Sequence, residues 1–285
     1  MKLIFLLFYL LFLSSNVLAG NLSLVYQTGS AAPLNNPHDL KLSPDGKYLL
    51  VADVGNNRVA LLDPESLALI DSFGDDHQSG THDVDFDASG QVYVADTHHN
   101  RVTIYRMDGV TATFIGELKE SIRGPEGVLA HSNGQLYVAG AWSGNVVAYE
   151  NGRVVHELGG LSSPHDLEES ADGHIWLSDS GNHRVLLLTP DLKIVRELSR
   201  KTYDFDGVRY MDLLNDGTLV LADKNNHQIK FIAADGALLH IAGSGRPEKG
   251  PGKFTTPEGV EVSGDTLWLS DSGNNRVVKY RIKRR

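Results

Sequence analysis

The sequence predicts an all-β fold, a six-bladed β-propeller that forms one domain. A nine-residue segment recurs six times along the chain at a spacing of about 44 residues. In each repeat, short strands with alternating apolar and polar residues flank a tight turn. Gly supplies 29 of the 285 residues, which suits many short strands joined by tight turns better than a helical bundle.

The recurring segment, called the signature below, contains a strand end, an Asp, small residues and then Asn-His-Arg-Val or a close variant. The six copies cover residues 51–59, 94–102, 138–146, 177–185, 221–229 and 269–277. In the third copy Gly140 takes the place of the Asp, and Ala141 and Trp142 follow it. We predict a scaffolding role for the signature Asp, because a carboxylate at a strand end can accept backbone N–H bonds from the turn that follows.

A second fixed element precedes each signature. It reads Pro-His-Asp-Leu at residues 37–40 and 164–167, and Pro-Glu-Gly-Val at residues 125–128 and 257–260. Each repeat then supplies about four antiparallel strands, and six such sheets around one axis make a propeller. The sixth repeat lacks a fourth strand, whereas residues 22–27 have strand character. We therefore expect the N-terminal strand to complete the sixth blade and close the ring.

The composition excludes several classes of function. Lys and Arg total 26 against 36 for Asp and Glu, a formal net charge of −10, which argues against nucleic acid and anionic lipid as partners. The chain contains no Cys, so thiol catalysis, thiolate metal sites and disulfides are excluded. His, Asp and Glu remain as the strong metal ligands.

The first residues of the chain have the features of a targeting segment. Residues 1–19 contain a Lys next to the initial Met, an apolar run from Leu3 to Leu13, and small residues up to Ala19. This pattern predicts a secretory signal peptide, because the apolar run is shorter than a membrane-spanning helix requires. We expect residues 20–285 to be exported, to the periplasm or the medium, as a propeller without a membrane anchor.

One residue of the second element takes an equivalent place near the axis of every blade. These residues are His38, His82, Glu126, His165, a fifth that is either Asp206 or Arg209, and Glu258. Alternate blades of a six-bladed ring lie about 120° apart, so His82, His165 and Glu258 form a two-His, one-carboxylate set of the kind that holds Zn²⁺ or Fe²⁺. At the fifth place, Asp206 would be a metal ligand and Arg209 an anion contact. A hydrated polar channel without metal is the alternative interpretation.

The neighbours of the predicted ring residues have simpler expected roles. Asp39, Asp83 and Asp166 each follow a ring His and point to the other side of the strand, where they can support the His of the next blade. His98 and His183 lie in signature turns, and we expect them to be structural or solvated. Trp142, in the degenerate third signature, is a candidate for stacking on a ligand at the channel mouth.

The signature resembles that of the NHL repeat family, and all six repeats carry some version of it. The resemblance implies a six-bladed propeller, a scaffold that serves enzymes, ligand binders and protein-interaction domains. Among members of known chemistry, the chain is similar to the peptidyl-hydroxyglycine lyase domain of the peptide-amidating enzymes. That resemblance implies zinc-ligand positions at His82, His165 and Glu258, with Glu258 in place of a third His. The family's Tyr aligns with Trp142, and one family Arg aligns with Val54.

These observations predict a protein that binds a small molecule or a peptide at one mouth of the channel. A divalent metal, Zn or Ca, held by His82, His165 and Glu258 would mediate the binding. The ligand-binding residues would be His38, Glu126, Trp142 and either Asp206 or Arg209. Two alternatives stay open: a metal-free scaffold for protein–protein interaction, and a metal-dependent lyase or hydrolase similar to the peptidyl-hydroxyglycine lyase.

Overall fold

The computed structural model describes residues 22–284 and confirms the predicted six-bladed β-propeller. The described chain forms six sheets of four antiparallel strands each. The predicted signal peptide, residues 1–19, lies outside the described residues.

In blades 1 to 5 the strands follow one another from the axis to the outer edge of the blade. The N-terminal strand β1 (Leu22–Gly29) is the outermost strand of blade 6. Blade 1 contains β2 (Pro37–Leu42), β3 (Leu49–Asp53), β4 (Arg58–Leu62) and β5 (Leu69–Phe73). Blade 2 contains β6 (Thr81–Phe86), β7 (Gln91–Asp96), β8 (Arg101–Asp108) and β9 (Thr111–Leu118). Blade 3 contains β10 (Pro125–Ala130), β11 (Leu136–Gly140), β12 (Asn145–Glu150) and β13 (Arg153–Leu158).

The second half of the chain repeats the same order. Blade 4 contains β14 (Pro164–Glu169), β15 (Ile175–Asp179), β16 (Arg184–Leu188) and β17 (Ile194–Leu198). Blade 5 contains β18 (Val208–Leu213), β19 (Leu219–Asp223), β20 (Gln228–Ile232) and β21 (Leu238–Ala242), and blade 6 adds β22 (Val260–Ser263), β23 (Thr266–Asp271) and β24 (Arg276–Arg284). One short helix, α1 (Arg200–Tyr203), precedes blade 5. Five signature turns are 3₁₀ turns: Val54–Asn56, Thr97–His99, Ser180–Asn182, Lys224–Asn226 and Ser272–Asn274.

The N-terminal strand closes the ring, as the sequence predicts. β1 pairs antiparallel with β24, with a register from Leu22 opposite Arg284 to Gly29 opposite Val278. The sixth sheet therefore has the order β1-β24-β23-β22. Because the first and last strands share one ladder, β24 is paired on both sides and blade 6 has four strands like the other blades.

The hydrophobic core lies between neighbouring blades and not on the axis. In one cluster, Val220 and Phe231 of blade 5 pack with Leu267 and Tyr280 of blade 6. Another cluster joins blades 3 and 4 in the same way. Because alternate residues of a strand face opposite sides of its sheet, each blade presents apolar side chains to both neighbours. The innermost strands are thereby left to carry polar residues along the axis.

The signature Asp ties each turn to the segment that enters the innermost strand. One carboxylate oxygen accepts the backbone N–H of the residue three places before the ring residue. The five pairs are Asp53 with Asn35, Asp96 with Ser79, Asp179 with Ser162, Asp223 with Asp206, and Asp271 with Thr255. The scaffolding role agrees with the sequence prediction, but the N–H groups come from the preceding segment and not from the turn that follows. The reason is the register of the sheet, which places Pro37 opposite Asp53.

A second set of bonds joins each blade to the next. The residue that ends a signature turn is left-handed, as Asn57 is with φ of 54°, and its side chain accepts a backbone N–H from the following blade. The pairs are Asn57 with Gly80, Asn100 with Gly124, His183 with Gly207, His227 with Thr256, and Asn275 with Asn36. Both Asn and His occur at this position because both accept a hydrogen bond and both are found more often than most residues in the left-handed region.

Blade 5 keeps the usual ion pair with an unusual residue. In four blades an Arg of the signature bonds the Asp, as Arg58 bonds Asp53 at 2.9 Å. Blade 5 has Gln228 at that position, and Lys230, two residues further on and buried, contacts Asp223 instead. The Asp–cation pair is therefore present in blade 5, although the signature of this blade lacks the Arg that forms the pair elsewhere.

Candidate ligand site at the channel mouth

Six residues form a ring around the axis, called the axial ring below. They are His38, His82, Glu126, His165, Arg209 and Glu258, one from each blade; the first five lie in the innermost strands, and Glu258 lies two residues before β22. In blades 1 to 5 the ladder between the first and second strands is irregular directly after the first residue of the innermost strand, for example between Pro37 and Leu40. This irregularity takes the ring residue out of the regular ladder, so its side chain can turn toward the axis.

The structure separates the two residues that the sequence left open for the fifth place. Arg209 lies in the axial ring, with its Nε 3.4 Å from Oε2 of Glu258. Asp206 lies three residues earlier, where its backbone N–H bonds Asp223. Its side chain lies 3.3 Å from His183, the residue that ends the signature turn of blade 4. The fifth ring position therefore carries a cation.

Glu258 is held by cations. Its side chain is 1% exposed, and Nζ of Lys224 and Nε of Arg209 both contact it, with Nε2 of His38 at 3.8 Å. Burial by itself would raise the pKa of Glu258, but His38, Arg209 and Lys224 outweigh it and lower the pKa to about 2. The pKa of His38 falls to about 3, chiefly because of its burial. At neutral pH this part of the ring therefore holds an ionised carboxylate, two cations and a neutral imidazole.

Glu126 and His165 form the second ion-pair contact of the ring. Nε2 of His165 contacts the Glu126 carboxylate, and its Nδ1 lies 2.7 Å from the carbonyl of Ser163. Burial acts to raise the pKa of Glu126, but His165 outweighs it and the pKa falls to about 2. Both nitrogens of His165 thus contact oxygen atoms of the protein, which fixes the orientation of the imidazole.

His82 is oriented through its other nitrogen. Its Nδ1 lies 2.9 Å from the carbonyl of Gly80 and 2.7 Å from Oγ1 of Thr97, whose hydroxyl donates to Pro125. Burial lowers the pKa of His82, so the imidazole is neutral at pH 7. Because Nδ1 is the donor, Nε2 is left as an acceptor.

Tyr210 closes the channel beneath the axial ring. It belongs to blade 5, yet its hydroxyl donates to the carbonyls of His82 at 3.1 Å and Glu126 at 2.9 Å in blades 2 and 3. The side chain therefore crosses the axis and is fully buried. The axial ring lies at the end of the propeller that carries the signature turns, since Pro37 is opposite Asp53; this end of the axis is called the mouth below.

Sequence reasoning missed Tyr210 and Lys224, although each had a signal. Tyr210 stands where the other blades have Asp or Gly, directly after the ring residue. Lys224 stands directly after a signature Asp, at a position where the other blades have Val, Thr, Ala or Ser. Both are departures from the repeat, and both contact groups of other blades.

Trp142 lies at the rim of the mouth, on the third blade. Its side chain is 51% exposed. The indole stacks on the imidazole of His98, with ring centroids 5.9 Å apart and planes 21° from parallel. His98, which we expected to be structural or solvated, thus takes part in an aromatic surface at the mouth.

The residues that the sequence grouped as metal ligands do not fit a metal ion in this arrangement. Glu258 is paired with two cations, and Nε2 of His165 contacts Glu126 and not Glu258. Between residues 22 and 284, no cluster of three or more His, Asp or Glu side chains is spaced to hold a metal ion. Ammonium and guanidinium groups beside a carboxylate oppose the binding of a divalent cation there.

A second layer of buried charges lies further along the innermost strands. Lys41 is 3.0 Å from Glu168 and 3.7 Å from Asp85. We expected Asp83 and Asp166 to support the His residues of the next blade, but they bond other groups. They accept backbone N–H groups of the next innermost strand, because these N–H groups face the axis beside them. Burial raises the pKa of Asp83 to about 6 and that of Glu168 to about 8.

Comparison with protein families agrees with the repeat pattern. The family model described as the NHL repeat matches residues 82–105, which cover the first strand of blade 2 except Thr81, the whole second strand and the first five residues of the third. The chain is a six-bladed β-propeller with an NHL repeat. No curated protein sequence matches this NHL propeller. None of its described helices is long and apolar enough to cross a membrane.

Solved structures share the fold at low sequence identity. A virginiamycin B lyase from Staphylococcus aureus, a catalytically inactive variant with quinupristin, is 15% identical at a TM-score of 0.64, over 92% of this chain and 87% of that one. An auxiliary nutrient binding protein from Bacteroides ovatus is 13% identical at a TM-score of 0.72, over 93% and 78%. A protein of unknown function from Bacteroides thetaiotaomicron is 16% identical at 0.73, over 93% and 73%. At these identities the likeness is one of fold.

Proposed function

We propose that this NHL propeller is an exported protein that binds a small molecule or a peptide with an anionic group at the channel mouth. The observation that carries the proposal is the side chain of Arg209. Its Nε is buried and has no hydrogen-bond partner, and its one ion pair among the described residues is with Glu258. A guanidinium has five N–H donors in a planar fork that matches a carboxylate or phosphate.

The charges around Arg209 also favour an anion. Lys224 and Arg209 both contact the carboxylate of Glu258, so two positive charges meet one negative charge at this contact. The other carboxylate of the axial ring, Glu126, is paired with His165. Both cations are partly exposed, with side chains 19% and 24% accessible, so a ligand that enters the mouth can reach them.

Two fold neighbours support a ligand-binding role. One is a lyase whose structure contains quinupristin, and another is described as an auxiliary nutrient binding protein. Tyr210 closes the channel under the axial ring, so a ligand at this mouth meets a polar floor.

Titration calorimetry with phenylacetate and with its neutral analogue phenylacetamide tests the proposal. We expect phenylacetate to bind and phenylacetamide to bind at least tenfold more weakly, because a charge-assisted bond to Arg209 contributes about 1.5–3 kcal/mol. Arg209→Met should remove this difference. Arg153→Met, at an exposed Arg of an outer strand, is the matched control and should leave it intact. Equal binding of acid and amide to the unmodified protein would contradict the proposal.

The divalent metal predicted from the sequence is a separate proposal. Lys224 and Arg209 occupy the vicinity of Glu258, so a metal ion would first have to displace them. The calorimetry is therefore repeated after chelator treatment and again with added Zn²⁺ or Ca²⁺. Binding of phenylacetate that is unchanged by the chelator supports direct recognition by Arg209, whereas binding that requires added metal supports the metal-mediated form.

A lyase or hydrolase is the second candidate, favoured by the contact between His165 and Glu126. A carbonyl on Nδ1 holds the imidazole in one orientation, and a substrate that displaces Glu126 from Nε2 would meet an imidazole and a carboxylate placed for general acid–base catalysis. Incubation with virginiamycin B, followed by mass spectrometry, tests a lyase activity like that of the fold neighbour. We expect Glu126→Gln to abolish any turnover that the unmodified protein shows. If no ligand binds at the mouth and no turnover occurs, the interaction-scaffold alternative takes the place of both proposals.

A further inference from the structure

Two neighbouring blades carry aromatic rings at one equivalent position of the signature turn. This position, two residues after the signature Asp, is occupied in blades 1 to 6 by Gly55, His98, Trp142, Gly181, Asn225 and Gly273. The other four residues are small or polar. Because blades 2 and 3 are adjacent, the two rings meet and stack at 5.9 Å, which makes one continuous aromatic surface at the rim.

The backbone beneath Trp142 is adapted to its indole. Gly124 has a φ of +55°, and a Cβ at this glycine would lie 2.4 Å from ring atoms of Trp142. The backbone N–H of Trp142 also donates to the carbonyl of Arg123 at 3.1 Å. The indole is thus held in one place while half of its surface stays exposed. The other two Trp residues, Trp176 and Trp268, are buried and only 5% and 4% exposed.

Aromatic rings continue from this rim to the floor of the mouth. The imidazole of His98 lies 6.4 Å from that of His82, edge to face, and His82 lies 4.6 Å from His38 in the same manner. The side of the mouth formed by blades 1 to 3 is therefore lined by rings. The opposite side, formed by blade 5, presents Lys224 and Arg209.

We infer that the ligand is an anion with a planar ring, which stacks on Trp142 beside His98 while its anionic group reaches Arg209 and Lys224. This inference rests on the proposed function, since it takes the anion contact as given. It adds a second recognition element and an orientation across the mouth, from blade 3 to blade 5. Offset stacking on an indole selects flat π-systems over saturated rings of similar size.

The test compares phenylacetate with cyclohexylacetate, which has the same charge and a similar size but no planar ring. We expect phenylacetate to bind about three- to tenfold more tightly, which is the range that an aromatic pair contributes. Trp142→Leu should abolish this preference and Trp142→Phe should retain most of it. Ile194→Ala, an equally exposed apolar residue on an outer strand, is the control and should change neither affinity.

Intrinsic fluorescence supplies an independent readout. Trp142 is the one exposed Trp of three, so phenylacetate should protect the protein's emission from quenching by acrylamide, and this protection should be absent in Trp142→Leu. Equal affinities for the two acids, unchanged by Trp142→Leu, would overturn the inference and leave the anion site standing. Failure of both acids to bind would overturn the proposed function and the inference with it.

Discussion

Replacement of Lys230 by Leu should cost the propeller about 3–5 kcal/mol of unfolding free energy, because it removes one partner of a fully buried ion pair. Lys230 is 1% exposed and Asp223 is completely buried. The ammonium also donates to the carbonyls of Tyr203 and Asp204 at 2.7 and 3.0 Å. The substitution therefore leaves a buried carboxylate without its cation and removes donors from two carbonyls.

The repeat itself supplies the rescue. In blade 4 the cation is Arg184, and Leu186 occupies the position that corresponds to Lys230. Adding Gln228→Arg to Lys230→Leu recreates that pattern in blade 5. In blade 2, Nη2 of Arg101 donates to the carbonyl of His77, which lies two residues before the residue whose N–H bonds the signature Asp. In blade 5 the N–H that bonds the signature Asp is that of Asp206, so the corresponding carbonyl is that of Asp204. The double variant should therefore regain all but about 1 kcal/mol of the lost stability.

Urea unfolding of the single variant, the double variant and a control measures these differences. Lys193→Met is the control, since Lys193 pairs with Asp191 at 2.6 Å but is 78% exposed, and an exposed pair contributes at most about 1 kcal/mol. A loss below 1 kcal/mol for Lys230→Leu, or a double variant as unstable as the single one, would refute the assigned role of the buried pair.

Three further predictions concern the axis, the closure of the ring and the metal. Burial raises the pKa of Asp83 to about 6 and that of Glu168 to about 8, so below these values the folded protein holds protons that the unfolded chain has already lost. Their contribution to stability should therefore fall as the pH rises to about 8 and change little above it; a flat or rising profile in chemical unfolding between about pH 6.5 and pH 8 would contradict this. Deletion of residues 22–28 removes most of the β1 ladder and should cost on the order of several kcal/mol, whereas a melting temperature within a degree or two of the intact protein would refute the role of β1. Lys224→Met should increase the affinity for Zn²⁺ in a competition titration, because it removes a cation from Glu258; an unchanged affinity would place any metal elsewhere.

The repeat pattern was sufficient to predict the blades, their number and the closure by the N-terminal strand. These features depend on the alternation within each strand and on the missing strand of the sixth repeat, both of which are local properties of the sequence. The ring positions of His38, His82 and Glu126 followed from the same periodicity. Each of them lies in the second element, which has a nearly constant place in every repeat.

The pairing of side chains across the axis could not be predicted in this way. A repeat gives the position of each residue in its own blade, but the contacts of Glu258 with Lys224 and Arg209 depend on which side chains are long enough to cross between blades. For this reason the sequence grouped Glu258 with His82 and His165. The fifth ring residue was ambiguous for a related reason: Asp206 resembles the acidic residue of other blades, yet its backbone N–H is the one bound by Asp223.

The departures of blade 3 are compensated by new bonds, which distinguishes adaptation from neutral drift. Gly144 lacks the side chain that bonds the next blade elsewhere, but its carbonyl accepts the N–H of Leu161 at 3.0 Å. A Cβ at Gly144 would lie 2.8 Å from the carbonyl oxygen of Leu161, whereas one at Gly134, also with positive φ, would meet nothing. Gly144→Ala should therefore lower the unfolding free energy by about 1–2 kcal/mol more than Gly134→Ala. Equal losses in urea unfolding would mean that this junction, beside Trp142, has merely drifted from the repeat.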